Sequence, residues 1–130
     1  MTKRDEFTQR TKTLLASRAG FRCSKPDCNQ RTIGPSIEKL EIVNLGVAAH
    51  ITAAAAGGPR HDPLMSHDER RSAANGIWLC ATHGKLVDSD IPLYSTQLLH
   101  EWKEHAEDAA RELLSSGSAK AVPQLSLIHI

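Results

Sequence analysis

The sequence predicts an α+β domain, and three observations carry that prediction. Apolar residues recur at helical spacing near both ends of the chain, two short β-branched runs lie between them, and all three cysteines fall in or beside those central elements. At 130 residues the chain suits one domain with a modest core.

Each element has a local reason. Residues 5–19, DEFTQRTKTLLASRA, read as a helix with Phe7, Leu14 and Leu15 on one side. Gly20 suits the left-handed stop beyond it. FRCSKPDCNQ follows, with the turn residues Pro26, Asp27 and Asn29 between and beside two cysteines. Residues 42–51, IVNLGVAAHI, form a strand ending near His50. The segment 52–74 reads as loop, broken by Gly57-Gly58-Pro59 and Pro63. A second strand fits Ile77–Leu79, with a short helix after it. Ser95 or Thr96 caps a helix carrying Leu98, Leu99, Trp102, Ala106, Ala109 and Leu113 on one face. SSGSAKAVPQ reads as a linker, and the apolar LSLIHI has no evident partner: it is the start of a further domain or a cloning or sequencing artefact.

Charge narrows the partners little. The formal net charge is +1, so no global field argues for nucleic acid. Residues 1–31 nonetheless balance to +5 and residues 95–115 to −3, which is compatible with one basic face or with ordinary solvated surfaces. No apolar run approaches the roughly 20 residues of a membrane span, and the N-terminus lacks the apolar region of a signal peptide. A cytoplasmic setting is the expectation. Thiols stay reduced there, and three cysteines cannot all pair within one chain, so metal binding outranks disulfides.

Two constellations carry chemistry. Cys23-x4-Cys28 and Cys80-x2-His83 are two knuckles that could share one structural zinc, whose binding energy would count toward folding. The alternative is three unrelated buried thiols. The second constellation is His50 at a strand end, Asn75 downstream, and Asp88 thirteen residues beyond it. This suits metal-assisted phosphodiester hydrolysis: His50 takes a proton from water, the Asn75 carbonyl holds the imidazole, and Asp88 helps bind a divalent cation. The bland reading of His50 is a satisfied core residue. Arg60, in the GGPR turn close behind His50, is a candidate phosphate grip. For Arg70 and Arg71 that role stands level with a solvated helix turn. Trp78 and Trp102 read as core beside the zinc site, and His67, His100, His105 and His129 as surface residues.

CSKPDC, VAAHITAA, NGIWLCATH and KLVDSD together resemble an HNH endonuclease domain with a zinc-binding ββα-metal core, over roughly residues 20–105. GGPRHDPLMSHDERRSAANGIWLC, KLVDSD and LLHEWKEHAE are most similar to the N-terminal nuclease domains of HNH–SAVED effectors of bacterial cyclic-oligonucleotide antiphage systems (CBASS). In that group a C-terminal SAVED domain senses a cyclic oligonucleotide and drives assembly that switches on degradation of double-stranded DNA. The resemblance implies a nuclease domain over residues 1–115, and a linker or tail over 116–130 toward a further sensor domain.

Carried over by position, His50 is the general base, Asn75 the motif Asn, and Cys23, Cys28 and Cys80 zinc ligands. His83 replaces the usual fourth cysteine. The resemblance further implies homo-oligomerisation when active, products with 5′-phosphate and 3′-hydroxyl ends, and little sequence selectivity. Two departures stand out: Ala49 and Gly84 occupy positions that often ligate the catalytic metal. Mg²⁺ or Mn²⁺ would then rely on Asp88, water, phosphate oxygens, or the loop residues His61 and Asp62. The runner-up is a non-catalytic, zinc-stabilised DNA-binding or assembly module. A zinc deaminase fits poorly, because neither His50 nor His83 is followed two residues later by Glu.

Overall fold

The computed structural model describes residues 5–38, 40–54, 57–58 and 60–117. The described residues are mixed α and β, built on two small antiparallel pairs of strands and four helices.

Helix α1 (Gln9–Arg18) starts four residues later than its sequence predicts. The Thr8 hydroxyl accepts the Thr11 N–H at 3.1 Å, which requires extended backbone at Thr8 and closes the helix there. Residues 5–7 are instead drawn across the sheet, where the Asp5 amide donates to the Ala54 carbonyl. Phe7 and Leu15 are buried as expected, while Leu14 is exposed. Gly20 follows with φ of 67°, the left-handed stop that α1 was expected to need.

The stretch expected as one strand, 42–51, is two. Strand β1 (Ile33–Pro35) pairs with β2 (Ile42–Asn44), and β3 (Gly46–His50) pairs with β4 (Gly76–Cys80). The switch occurs at Leu45, whose N–H donates to Thr32 and whose carbonyl accepts from Ala81. The Asn44 side chain accepts the Gly46 amide at 2.8 Å and turns the chain. Gly46 is required there, because a Cβ would stand 2.2 Å from the Trp78 ring.

β4 is buried along its whole length. Its alternation places Ile77 and Leu79 in one core with Cys23, Cys80, Val87, Leu99 and Trp102, and Trp78 in another with Phe7, Leu15 and Ala16. Trp78 thus faces away from the cysteines, contrary to expectation, and its indole N–H donates to Thr32. The 52–74 segment holds one short helix, α2 (His67–Arg71), closed by a capping box between Ser66 and Glu69. A 3₁₀ turn, Ala73–Asn75, leads into β4.

Helix α3 (Ala81–Ser89) follows β4 without a loop. It crosses β3 so closely that a Cβ at Gly84 would sit 2.6 Å from Val47. Helix α4 (Thr96–Ser116) is capped by Ser95 and buries Leu99 and Trp102, whereas Leu113 is exposed. Among the described residues no helix is long and apolar enough to cross a membrane. The linker or tail expected over 116–130 starts inside α4, which runs through Ser116 to a cap at Gly117, and its residues 118–130 lie outside the described residues.

Candidate functional site

The first site is the Cys/His group. A tight turn places Cys28, whose N–H donates to the Lys25 carbonyl. The Cys23 N–H donates to Gln30, and the Ser24 N–H donates to Trp78, tying this knuckle to β4. Cys80 ends β4 and His83 lies in the first turn of α3, so the strand-to-helix corner folds both onto one side. The sulfur and imidazole donors of Cys23, Cys28, Cys80 and His83 all lie within 4.8 Å of one another. His83 Nδ1 stands 3.6 Å from Cys23 Sγ and 3.3 Å from Cys80 Sγ. With Zn–S of about 2.3 Å and Zn–N of about 2.0–2.1 Å, tetrahedral donors stand about 3.6 Å apart. The group therefore fits a metal ion such as zinc. Burial pushes the Cys23 thiol up to about 12, with Cys80 and Cys28 adding to the rise. A bound cation would take the place of the thiol protons, because sulfur ligates a metal as the thiolate.

The second site lies at the other end of β3. His50 lines a cavity of about 180 Å³ together with Asp88, Glu6, Ala48, Ala49 and Gly58. His50 and Asp88 are thus brought together, as the sequence proposes. Glu6 joins them unforeseen, because nothing local in the sequence links residue 6 to residue 50. His50 Nε2 lies 2.8 Å from the Asp5 main-chain carbonyl. A carbonyl can only accept, so Nε2 carries the proton and the basic lone pair is at Nδ1. The Phe7 ring stacks on the imidazole with centroids 3.8 Å apart and planes 6° from parallel.

Asn75 does not hold the imidazole. Its Oδ1 accepts the Thr52 N–H at 2.9 Å, and its Nδ2 donates to the Thr52 and Arg70 carbonyls at 3.0 Å each. Its carbonyl accepts the Ile51 N–H. Because His50 pairs with Gly76 across the sheet, Asn75 lies opposite residues 51–52, and its buried amide fixes the chain just past His50.

Arg60 departs furthest from its expected role. Its side chain is 4% exposed. Nε donates to Ile51, Nη1 to Val87 and Tyr94, and Nη2 to His50 and to Asp88 Oδ1. All five N–H groups are thereby taken, and none is left for a phosphate. Arg70 is also turned inward, donating to the Asp62 carbonyl and lying 3.5 Å from the Asp5 carboxylate. Arg71 is exposed beside Asp68 and remains open to a phosphate. Of the loop residues, Asp62 Oδ1 caps the Leu64 N–H, and His61 Nδ1 is buried without a hydrogen bond.

His67, expected at the surface without a partner, meets the buried Asp5 carboxylate at 2.9 and 3.0 Å. Burial raises the Asp5 carboxyl, but hydrogen bonds and charge from His67 and Arg70 outweigh it and hold the group below its ordinary 3.8. A depressed carboxyl contributes stability above its unfolded value and loses it as pH falls through the lower folded one. Thermal melts run from neutral pH downward are expected to lose stability below about pH 4, and less steeply for Asp5→Asn. Parallel curves for the two proteins would show that the ion pair contributes nothing.

Compared with known proteins, the chain matches no family model and no curated protein.

Proposed function

We propose that this chain is a metal-dependent HNH-type endonuclease that hydrolyses phosphodiester bonds of double-stranded DNA with little sequence selectivity. One observation carries the reading: β3, β4 and α3 place a basic imidazole and a carboxylate on one small cavity, at the far end of β3 from a Cys₃His group. That order supports the reading of a ββα-metal core braced by structural zinc. His50 Nδ1 is the atom that would take a proton from the attacking water. Asp88, 48% exposed with Oδ1 on Arg60, is the residue offered to Mg²⁺ or Mn²⁺. Such a cation would supply positive charge to the leaving oxygen. Asn75 and Arg60 act one step back, setting the chain at His50 and just past it. Nothing among the described residues offers a base-reading element, which supports weak selectivity.

By the same resemblance the domain belongs to a cyclic-oligonucleotide-activated antiphage effector in the cytoplasm, with a SAVED sensor following and a homo-oligomer as the active form. A second reading, a non-catalytic zinc-stabilised DNA-binding or assembly module, is favoured by Gly84. Val47 fills the space where a ligand side chain would stand.

Supercoiled plasmid incubated with the protein and Mg²⁺ or Mn²⁺ separates the two. We expect nicking and linearisation, and a rate roughly 10²–10⁴-fold lower for His50→Ala. Equal cleavage by both proteins would remove His50 from the chemistry. No cleavage by the protein in its activated assembly would favour the second reading.

A further inference from the structure

Residues 5–7 form a strap across His50, and its fastening is unusual. Asp5 alone makes contacts in three directions. Its N–H donates to the Ala54 carbonyl at 2.9 Å, its carbonyl accepts from His50 Nε2, and its carboxylate reaches α2. That carboxylate is 5% exposed. A buried charge is costly unless paired, and both of its partners, His67 and Arg70, come from the insertion between β3 and β4. Two residues further along, Phe7 lies flat on the imidazole.

We propose that Asp5 is the positioning residue for His50: its carboxylate fastens the strap to α2, so that the strap's carbonyl and the Phe7 ring lock the imidazole in one tautomer and one orientation. The catalytic consequence rests on the nuclease reading, whereas the structural one does not. A hydrogen bond to one carbonyl does not by itself stop an imidazole turning about χ2. A flat ring on one face and a carbonyl in its plane together remove that freedom before substrate arrives. The Asp5 contact with His50 is through its main-chain carbonyl, whereas its carboxylate meets His67 and Arg70, so Asp5 acts through the main chain.

NMR of the full chain tests this directly. In the unaltered protein the His50 Nε2–H should be protected from solvent exchange and visible, and the ring C–H protons should be shifted upfield by Phe7. In Asp5→Asn, with metal content and circular dichroism unchanged, we expect the Nε2–H signal to disappear and the upfield shift to shrink. Plasmid cleavage at saturating DNA should fall about 10- to 100-fold with KM unchanged. Both ring signals intact in Asp5→Asn would overturn the proposal, whatever the cleavage rate. Ring signals lost in that variant while even the unaltered protein cleaves nothing would support the positioning and sink the nuclease reading. Should Asp5→Asn fail to fold, His67→Ala, at a side chain 71% exposed, gives the same ring readout: signals lost support the strap, and signals intact overturn it.

Discussion

Denying the Cys₃His group a metal, with a strong chelator or through Cys80→Ser, is expected to unfold the protein rather than merely soften it. Cys23 and Cys80 are buried members of the principal core, packed with Leu79, Leu99 and Trp102. Without a cation the three sulfurs face one another as thiols in apolar surroundings, or as mutually repelling thiolates. Structural zinc in small peptides contributes about 10–16 kcal/mol at neutral pH, and whole domains are stable by only about 5–15 kcal/mol. A term of that size decides whether the chain folds at all. Circular dichroism melts before and after chelation, with metal content measured alongside, read the effect. A cooperative transition of unchanged midpoint in fully stripped protein would leave the Cys₃His group as a cluster of ordinary buried thiols.

Arg60→Ala is expected to destabilise the fold by about 3–5 kcal/mol, because it leaves buried acceptors without their donor. Five acceptors converge on this one guanidinium: four main-chain carbonyls and Asp88 Oδ1. Arg60 also sits at φ of 57°, a left-handed conformation that costs a non-glycine residue about 1–3 kcal/mol and persists only where contacts over-determine it. Arg60→Lys should fare nearly as badly, since one ammonium with three donors cannot span five acceptors. Urea unfolding measures the loss. DNA affinity supplies the contrast: a residue whose donors are all internal should leave the salt dependence of binding unchanged in whatever protein stays folded. A stability loss below about 1 kcal/mol with a shallower salt slope would return Arg60 to phosphate binding.

The metal group and Arg60 also show what a sequence can and cannot disclose. The Cys/His group is legible because its ligands come as two close pairs, and a turn or a strand-to-helix corner needs little else to present them. His50 is legible as a strand end, and Asp88 by its place on the following helix. Arg60 is not, because its neighbours belong to residues 50–51 and 87–94, and no local pattern says that a loop arginine will be swallowed. The strap is hidden for a similar reason: DEFTQ has ordinary helical character, and beside the Thr8 cap it is the long-range bonds of Asp5 and the Phe7–His50 stack that hold residues 5–7 out of the helix. β1 is hidden because Ile33-Gly34-Pro35 carries two turn-forming residues, and its pairing with β2 is decided by partners rather than by propensity. Gly84 looks like a missing ligand and is a packing position, required by the approach of α3 to β3.

The separation of Cys28 from Cys80 has a meaning in chain entropy. A metal held by both knuckles closes a loop of about fifty residues, and pinning a loop of that length removes disorder worth about 4 kcal/mol from the unfolded chain. Much of what shapes the cavity lies inside that loop: β3 with His50, the Arg60 guanidinium, α2 with the partners of Asp5, and Asn75, while Asp88 follows it on α3 and Glu6 precedes it. The strap lies outside it. Release of the metal would therefore free the β3 side of the cavity wall at once, while release of the strap would free one end of one side chain, so the two events should appear in hydrogen exchange as openings of very different size.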